Sequence, residues 1–459
     1  MIPINTKELA SIVDGVPFFT GYPCEITHIC IDSRKVQEGS LFIPIKGEHH
    51  DGHDFIKSAF DSGAVAVLTE EDIKDYHGKW IIKVDSSLQS IHKLSKYYKN
   101  KFNIPFIALT GSSGKTTTKD LIYAVLSQKY HVLRTKGNQN NDLGVPLTLF
   151  QLEKKHEIAV IEMGMDHLGE IRLLTELVEP NIAIITNIGY THIENLKTQD
   201  NIFKAKCEIF SNLKEKDLAL VNGDDEYLQE VCSSGYKVQK YGMLHNNLDI
   251  RATDILSSSS GIEFNVLYQG EEHHYKFNLP GKHNVYNCLC AIALGYYFNL
   301  HSEQIQLGLD RYQPSCNRMD IIHAGHTSII NDCYNANPDS MKAALDVLSD
   351  YKRKHGRAIA VLGDMLEMGE NSFRYHYQVG EYIMRLKDIN IIVAIGKDAK
   401  YYIQGALSSG FSEKNCHHFE SNDTAATFLI DSRKENDCYL IKGSRGMKME
   451  EIVAILERS

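Results

Sequence analysis

Short apolar runs, each giving way to a glycine or a polar residue, recur along this chain. Residues 40–45 and 64–69 form the first two. Residues 106–110, 158–162, 182–187 and 218–222 follow, and 358–363, 391–396 and 438–443 close the series. A strand with one wet face alternates apolar and polar positions; these runs are nearly continuous and read as strands buried on both faces. Helical stretches such as 90–102 lie between them. Buried strands alternating with helices predict an α/β chain with mostly parallel, doubly wound sheets. Asn103-Ile104-Pro105 and Gln313-Pro314 interrupt the pattern. They divide it into a small N-terminal α/β domain (1–103), a central domain (104–313) and a C-terminal Rossmann-like α/β domain (314–459). No Gly-x-Gly-x-x-Gly accompanies the last three runs, so no nicotinamide cofactor is expected. The serine run at 257–260 reads as a local loop, and no repeat of solenoid period is present.

Ligands of such sheets gather at the carboxyl ends of the strands. There the run at 106–110 meets Gly111-Ser112-Ser113-Gly114-Lys115-Thr116-Thr117, and a helical pattern follows. Glycines allow a tight turn that aims backbone N–H groups at anionic oxygens, and the new helix adds its own unpaired donors. Lys115 can reach the β- and γ-phosphates, and the Thr116 hydroxyl can ligate Mg²⁺. Leu109 stands where the longer form of the motif has its first glycine, so this is a shortened Gly-x-x-Gly-Lys-Thr loop. The central domain therefore reads as a phosphate-loop ATPase-like doubly wound sheet. The plain alternative is a Gly/Ser-rich turn capped by Ser112 or Ser113.

Composition narrows the partners. The formal net charge of −10 over 459 residues argues against a general nucleic-acid binder. Ten cysteines show no Cys-x-x-Cys spacing, and Cys288 and Cys290, two apart in a helical pattern, point in different directions. They read as reduced thiols of a cytoplasmic protein. No basic region followed by an apolar run opens the chain, so no signal peptide is expected. No stretch approaches the roughly 20 apolar residues that span a bilayer.

Other strand ends carry candidate chemistry. Glu162 closes an apolar run where an acid can hold Mg²⁺, or simply be solvated. His192, in the loop after the next run, can ligate a metal, contact phosphate or be structural. Lys206 lies in a helical pattern that by itself makes it a surface lysine. The amide-rich loop at 137–146, with Asn138 and Asn141, can grip a sugar or peptide, or form Asx turns. In the segment 332–341, Asn337 and Pro338 suit the start of a helix. That cap explains neither Asp332 nor Asn335.

Together these motifs resemble the Mur ligase family. The resemblance rests on residues 110–117, the 137–146 loop, Glu162-Met163-Gly164, residues 186–194, Lys206, Asn222-Gly223-Asp224-Asp225 and His283-Asn284-Val285-Tyr286-Asn287, in the family's order. Asp32-Ser33-Arg34 resembles its uridine-nucleotide signature. Residues 332–341, 363–369 and 442–450 resemble the branch that adds D-Ala-D-Ala to UDP-N-acetylmuramoyl-tripeptide.

The resemblance implies an ATP-dependent ligase. ATP would phosphorylate the tripeptide's terminal carboxylate, and the dipeptide amine would attack the acyl phosphate. Lys115 and two Mg²⁺ would bring the mutually repelling anions together. Thr116 and Glu162 would hold one ion, and His192 and Lys206 the other, with Lys206 carrying a carbamate. Gly111, Ser112, Ser113, Gly114, Lys115, Thr116 and Thr117 would bind ATP, with Asn287 at the adenine and Arg318 and Asp332 reaching the nucleotide from the third domain. Ser33, Arg34 and Lys46 would serve the uridine nucleotide, with Asn138 and Asn141 nearer the sugar or peptide. Asn335, Asn337, Ser340 and Arg445 would serve D-Ala-D-Ala. Cys207 stands where many members have glycine. The His49, His50, His53 cluster can suggest zinc, but the family has a substrate-facing loop there. Binding of ATP and dipeptide on different domains implies closure about a hinge near 313–318 in a monomer.

Rival readings are a sister ligase or folylpolyglutamate-type synthase adding one amino acid, and a phosphate-loop switch without ligation. The Asn335-Ala336-Asn337-Pro338 segment favours the dipeptide ligase. No Asn-Lys-x-Asp guanine signature is present.

Overall fold

The apolar runs are strands in the computed structural model of the protein, which describes residues 1–47, 50–73, 76–258, 261–314, 317–351 and 356–458. Glu48 and His49 of the histidine-rich loop, Ser259 and Ser260 of the serine run, and Ser315 and Cys316 of the expected hinge lie outside the described residues. The chain packs as two units. One comprises Met1–Ala108, Tyr130–Met163 and Leu173–Pro180; the other comprises Leu109–Lys129, Gly164–Arg172 and Asn181–Ser459.

In the first unit a five-stranded sheet has the order Val16–Phe19, Trp80–Lys83, Ala64–Thr69, Ser40–Phe42, His28–Cys30. All its pairs are parallel except that of Val16–Phe19 with Trp80–Lys83. Phe42, Val67 and Ile81 on the strands pack with Ile56, Ala59 and Phe60 of the helix Ile56–Asp61. The run expected over 40–45 pairs only through Phe42, just before Pro44, which has no N–H for a sheet ladder. The helix expected over 90–102 starts earlier, at Ser87, because the Ser86 hydroxyl accepts the Gln89 N–H at 3.3 Å and caps it. Ile158–Glu162 pairs in parallel with Val132–Arg134, and all five of its residues are buried.

In the second unit Ile182–Ile185, Leu218–Asn222, Lys237–Gly242 and Ile250–Ser258 are successive parallel neighbours. The carboxyl end of Phe106–Thr110 lies beside the first of them, where Thr186 N–H donates to Thr110 O at 3.0 Å. Gly261–Tyr268 and Glu271–Phe277 then add antiparallel strands. The four strands from Lys237 onward are absent from the list of apolar runs. Ile250–Ser258 alternates buried and wetter positions, so it has no continuous run to find.

The C-terminal sheet has the order Asp320–Ala324, Thr327–Asn331, Cys438–Lys442, Ala358–Gly363, Ile389–Ile395, Cys416–Phe419, with only the first pair antiparallel. The last strand of the chain lies in the middle. Its carboxyl end therefore neighbours Asp332 on one side and the loop after Gly363 on the other. Among the described residues, no helix is long and apolar enough to cross a membrane.

Candidate active site

The phosphate loop has the backbone its glycines require. Gly111 has φ +152°, and a Cβ there would stand 1.8 Å from Thr186 Oγ1. Gly114 has φ +79° as the residue before the helix Lys115–Leu126, and its Cβ would stand 2.6 Å from Asn287 Oδ1. Lys115 opens that helix, as the sequence predicts, and its Nζ donates to Gly111 O at 2.6 Å. Ser112 and Ser113 do not cap the helix.

The following loop, 186–191, grips the phosphate loop. Asn187 accepts the Ser112 N–H at its backbone oxygen (3.1 Å) and the Ser113 N–H at Oδ1 (2.8 Å). It also donates from Nδ2 to Ser113 O at 3.0 Å. Thr186 Oγ1 donates to the same oxygen at 2.6 Å, and Thr191 Oγ1 to Ser112 O at 3.2 Å. No role was assigned to these three side chains from the sequence, although all lie in the 186–194 segment. Asn187 stood at a predicted strand end, but nothing in the pattern linked it to a loop 74 residues earlier.

Asn287 packs beneath Gly114, with Oδ1 accepting from Thr118 Oγ1 (3.1 Å) and Nδ2 donating to Asn284 Oδ1 (3.2 Å). Thr116 is buried in the first helical turn; Thr117 follows it.

His192 has φ +63° and lies between two carboxylates, with Nδ1 2.7 Å from Asp166 Oδ1 and 3.0 Å from Glu367 Oε2. Burial works against its proton, but the two carboxylates facing Nδ1, Asp166 and Glu367, outweigh it, and the imidazole's proton affinity is raised. Neither acid was singled out from the sequence. Oxygen and imidazole donors gathered within 4.8 Å suit a divalent cation.

Lys206 is 1 % exposed in the helix Gln199–Cys207, so the surface placement that pattern alone suggested is wrong. Its ammonium has lost its hydration, and the Lys115 charge adds repulsion; together they lower its pKa well below that of an ordinary lysine. Cys207 beside it is pushed up to about 12 by burial, which makes it a poor nucleophile.

In the first unit Glu162 is 2 % exposed at the end of its strand, and its Oε1 accepts from Asn140 Nδ2 at 2.9 Å. The amide loop thus uses Asn140, not one of the two asparagines chosen from sequence, to hold the acid. Asn141 Oδ1 caps the helix Gly144–Leu149 through the Gly144 N–H at 2.8 Å, and Asn138 O accepts the Asn140 N–H at 2.8 Å. Arg34 forms a fork with Asp32, Nε to Oδ1 and a terminal nitrogen to Oδ2, both 2.9 Å, while 87 % of its side chain stays exposed. Ser33 begins the short helical turn that Asp32 caps. Lys46 pairs with Asp51 at 3.5 Å. His53 faces Asp51 with Nδ1 and accepts the Glu70 N–H, just past the strand Ala64–Thr69, at Nε2, so both ring nitrogens have partners within the protein.

Beyond residue 317, Asp332 is held by Lys442 Nζ at 2.6 Å, and the Arg318 guanidinium lies 3.7 Å from the Tyr334 ring centroid. Asn335 Oδ1 accepts the Ala336 N–H, and Ser340 Oγ receives the Asn337 N–H. Asn337 Oδ1 accepts the Ser340 N–H at 2.8 Å, the cap expected from sequence, while its Nδ2 donates to Ser113 Oγ (3.0 Å) and Thr191 Oγ1 (2.8 Å). The helix start thus reaches the phosphate loop. Arg445 pairs with Glu450 at 3.0 Å and is largely exposed.

Comparison with known proteins gives three family matches along the chain. Residues 25–105 match the Mur ligase family catalytic domain, 109–295 the Mur ligase middle domain and 317–445 the Mur ligase glutamate ligase domain. A UDP-N-acetylmuramoyl-tripeptide–D-alanyl-D-alanine ligase of Bacillus subtilis is 39 % identical over 100 % of this chain and 99 % of its own. Among solved structures, a MurF from Acinetobacter baumannii is 30 % identical with TM-score 0.91, covering 100 % of this chain and 99 % of its own. A MurF ligase from Thermotoga maritima, solved in complex with ADP, is 25 % identical with TM-score 0.84, covering 94 % and 97 %.

Proposed function

We propose, since this chain belongs to the Mur ligase family, that it joins UDP-N-acetylmuramoyl-tripeptide to D-alanyl-D-alanine in an ATP-driven reaction. The γ-phosphoryl group of ATP passes to the terminal carboxylate of the tripeptide, giving an acyl phosphate and ADP. The dipeptide amine then attacks the acyl carbon. The tetrahedral intermediate loses a proton and expels phosphate, leaving the amide of a UDP-linked pentapeptide, a peptidoglycan precursor.

One observation carries this reading: Lys115 folds back on the phosphate loop, Lys206 is buried, and His192 lies between two carboxylates, with the Lys115 charge near enough to act on both. Lys115 suits the β- and γ-phosphates. A buried lysine of lowered pKa is available as the neutral amine that CO₂ needs, which supports a carbamate on Lys206. Thr116 and Glu162 would hold one Mg²⁺, and His192 and the Lys206 carbamate the second. Such ions would neutralise charge on the attacking and leaving oxygens. The rest of the phosphate loop, Asn287, Arg318 and Asp332 would bind ATP. Ser33, Arg34, Lys46, Asn138 and Asn141 would take the UDP substrate, and Asn335, Asn337, Ser340 and Arg445 the dipeptide.

The three family matches support functional domains divided near residues 103 and 313. No disulfide joins the described cysteines, which supports a cytoplasmic enzyme. One chain carries every role named, which supports a monomer.

The test is phosphate release from ATP. It is expected only when both UDP-tripeptide and D-Ala-D-Ala are present. Equal hydrolysis without them overturns the ligase reading. For the carbamate, Lys206→Ala is expected to be inactive and to regain part of its activity with a small added carboxylate. A fully active, unaided Ala variant overturns that role.

A further inference from the structure

We propose that Glu367 is a positioning residue for His192: its carboxylate, held out from the C-terminal sheet, fixes the imidazole so that Nε2 is the nitrogen offered to a divalent cation. The inference rests on the ligase reading only in taking His192 as a cation ligand.

Four observations on the page converge. First, Glu367 Oε2 lies 3.0 Å from His192 Nδ1, and Asp166 Oδ1 lies 2.7 Å from the same nitrogen. These are ion-pair distances without hydrogen-bond alignment, and negative charge so close to Nδ1 favours the tautomer that carries its hydrogen there, which leaves the lone pair on Nε2. Second, the backbones meet as well as the side chains. Glu194 N–H donates to Glu367 O at 3.2 Å, and a Cβ on Gly369 would stand 3.3 Å from Glu194 Cα. Third, His192 and Glu367 both have φ +63°. Non-glycine residues hold that conformation at a cost, and it persists where the surroundings fix it. Here it falls on both sides of one contact. Fourth, the loop carrying Glu367 is anchored at its base. Asp364 accepts the N–H groups of Lys397, Asp398 and Ala399, Met365 N–H donates to His376 Nε2, and Leu366 N–H donates to Ser444 Oγ.

Asp166 and His192 lie on the same family domain, the middle one; Glu367 belongs to the C-terminal one. Asp166 can steer the ring whatever the C-terminal domain does. Glu367 can do so only when that domain is in contact with residues 192–194. The His192 ring is therefore fully oriented only in that arrangement, so cation affinity at this site reports on domain contact.

The experiment uses the full chain with ADP and UDP-tripeptide, and reads Mn²⁺ affinity by electron paramagnetic resonance beside kcat and KM. Glu367→Asn is the truncating variant, because asparagine tolerates positive φ and its side chain is one methylene too short to reach Nδ1. It is expected to weaken the weaker of two Mn²⁺ sites by roughly tenfold or more. It is also expected to lower kcat with little change in KM for the UDP-tripeptide. Glu367→Gln, whose amide oxygen can still accept from Nδ1, is expected to stay within about threefold of the parent protein in Mn²⁺ affinity and kcat. Unchanged Mn²⁺ affinity in Glu367→Asn overturns the proposal. So does a Gln variant as weak as the Asn variant, because the carboxylate would then act by charge or direct ligation. If the parent chain binds one Mn²⁺ only, the proposal also falls. The ligase reading is judged apart from these results, by substrate-dependent phosphate release from the parent chain. Should Glu367→Asn fail to fold, Glu367→Gly, which adopts positive φ freely, gives the same comparison.

Discussion

Lys206 is the residue whose environment departs most from its own pattern. Its helix reads as amphipathic with lysine on the wet side, yet the amine is buried and loses proton affinity through desolvation and through Lys115. A desolvated amine is costly to a fold unless it serves a purpose. Lys206→Met is therefore expected to raise the free energy of unfolding in urea by about 1 kcal/mol or more, while ligation is lost. A variant that is both less stable and inactive would mean the amine is structural. Gly111 poses a purely steric question. Alanine there would drive Cβ onto Thr186 Oγ1, so Gly111→Ala is expected to cost about 1–3 kcal/mol in denaturant unfolding. The glycine and lysine of the loop were legible in sequence because a motif names them. Asp166, Asn187 and Glu367 received no role from the sequence: the motifs at 186–194 and 363–369 contain the last two, but a motif does not say which of its side chains meets another segment.

Among the elements, the loop after Ile182–Ile185 is the one that makes the phosphate loop rigid. Thr186, Asn187 and Thr191 supply four side-chain hydrogen bonds to Ser112 and Ser113. Each net bond contributes about 0.5–1.5 kcal/mol, and a buried group left unpaired costs more. Asn187→Ala removes two of them. It is expected to raise KM for ATP roughly tenfold with a smaller effect on the urea midpoint. An unchanged KM would show that the loop holds its shape alone. Each apolar run proved to be a strand, because burial on both faces leaves an unbroken signature, but the short buried parallel strands Trp80–Lys83 and Thr327–Asn331 were passed over. The strands from Lys237 to Phe277 have a wet face and were passed over. Helix starts such as Lys115 were legible where a motif or a cap lay at the boundary. The start at Ser87 was missed because a serine cap looks like any polar residue.

At the scale of the whole molecule, three places on the C-terminal domain reach the middle-domain segment 187–194. Asn337 bridges Ser113 and Thr191, the Tyr375 ring packs 4.9 Å from that of Tyr190, and Glu367 faces His192. If these contacts form as substrates assemble, solution scattering is expected to show a smaller radius of gyration with an ATP analogue, UDP-tripeptide and D-Ala-D-Ala together than with none. No compaction would count against closure as a step. The sequence alone determined the α/β class, the phosphate loop and the order of the family's motifs. Each of these is written in consecutive residues, as a burial period, a turn that needs glycine, or a helix start. Only the tertiary structure decided that Lys206 is buried, that Asn140 holds Glu162, that Asn187 buttresses a loop 74 residues away, and that Glu367 meets His192. Those relations depend on which strand ends lie side by side. Strand order is set by packing of the whole sheet, which no local window of sequence contains.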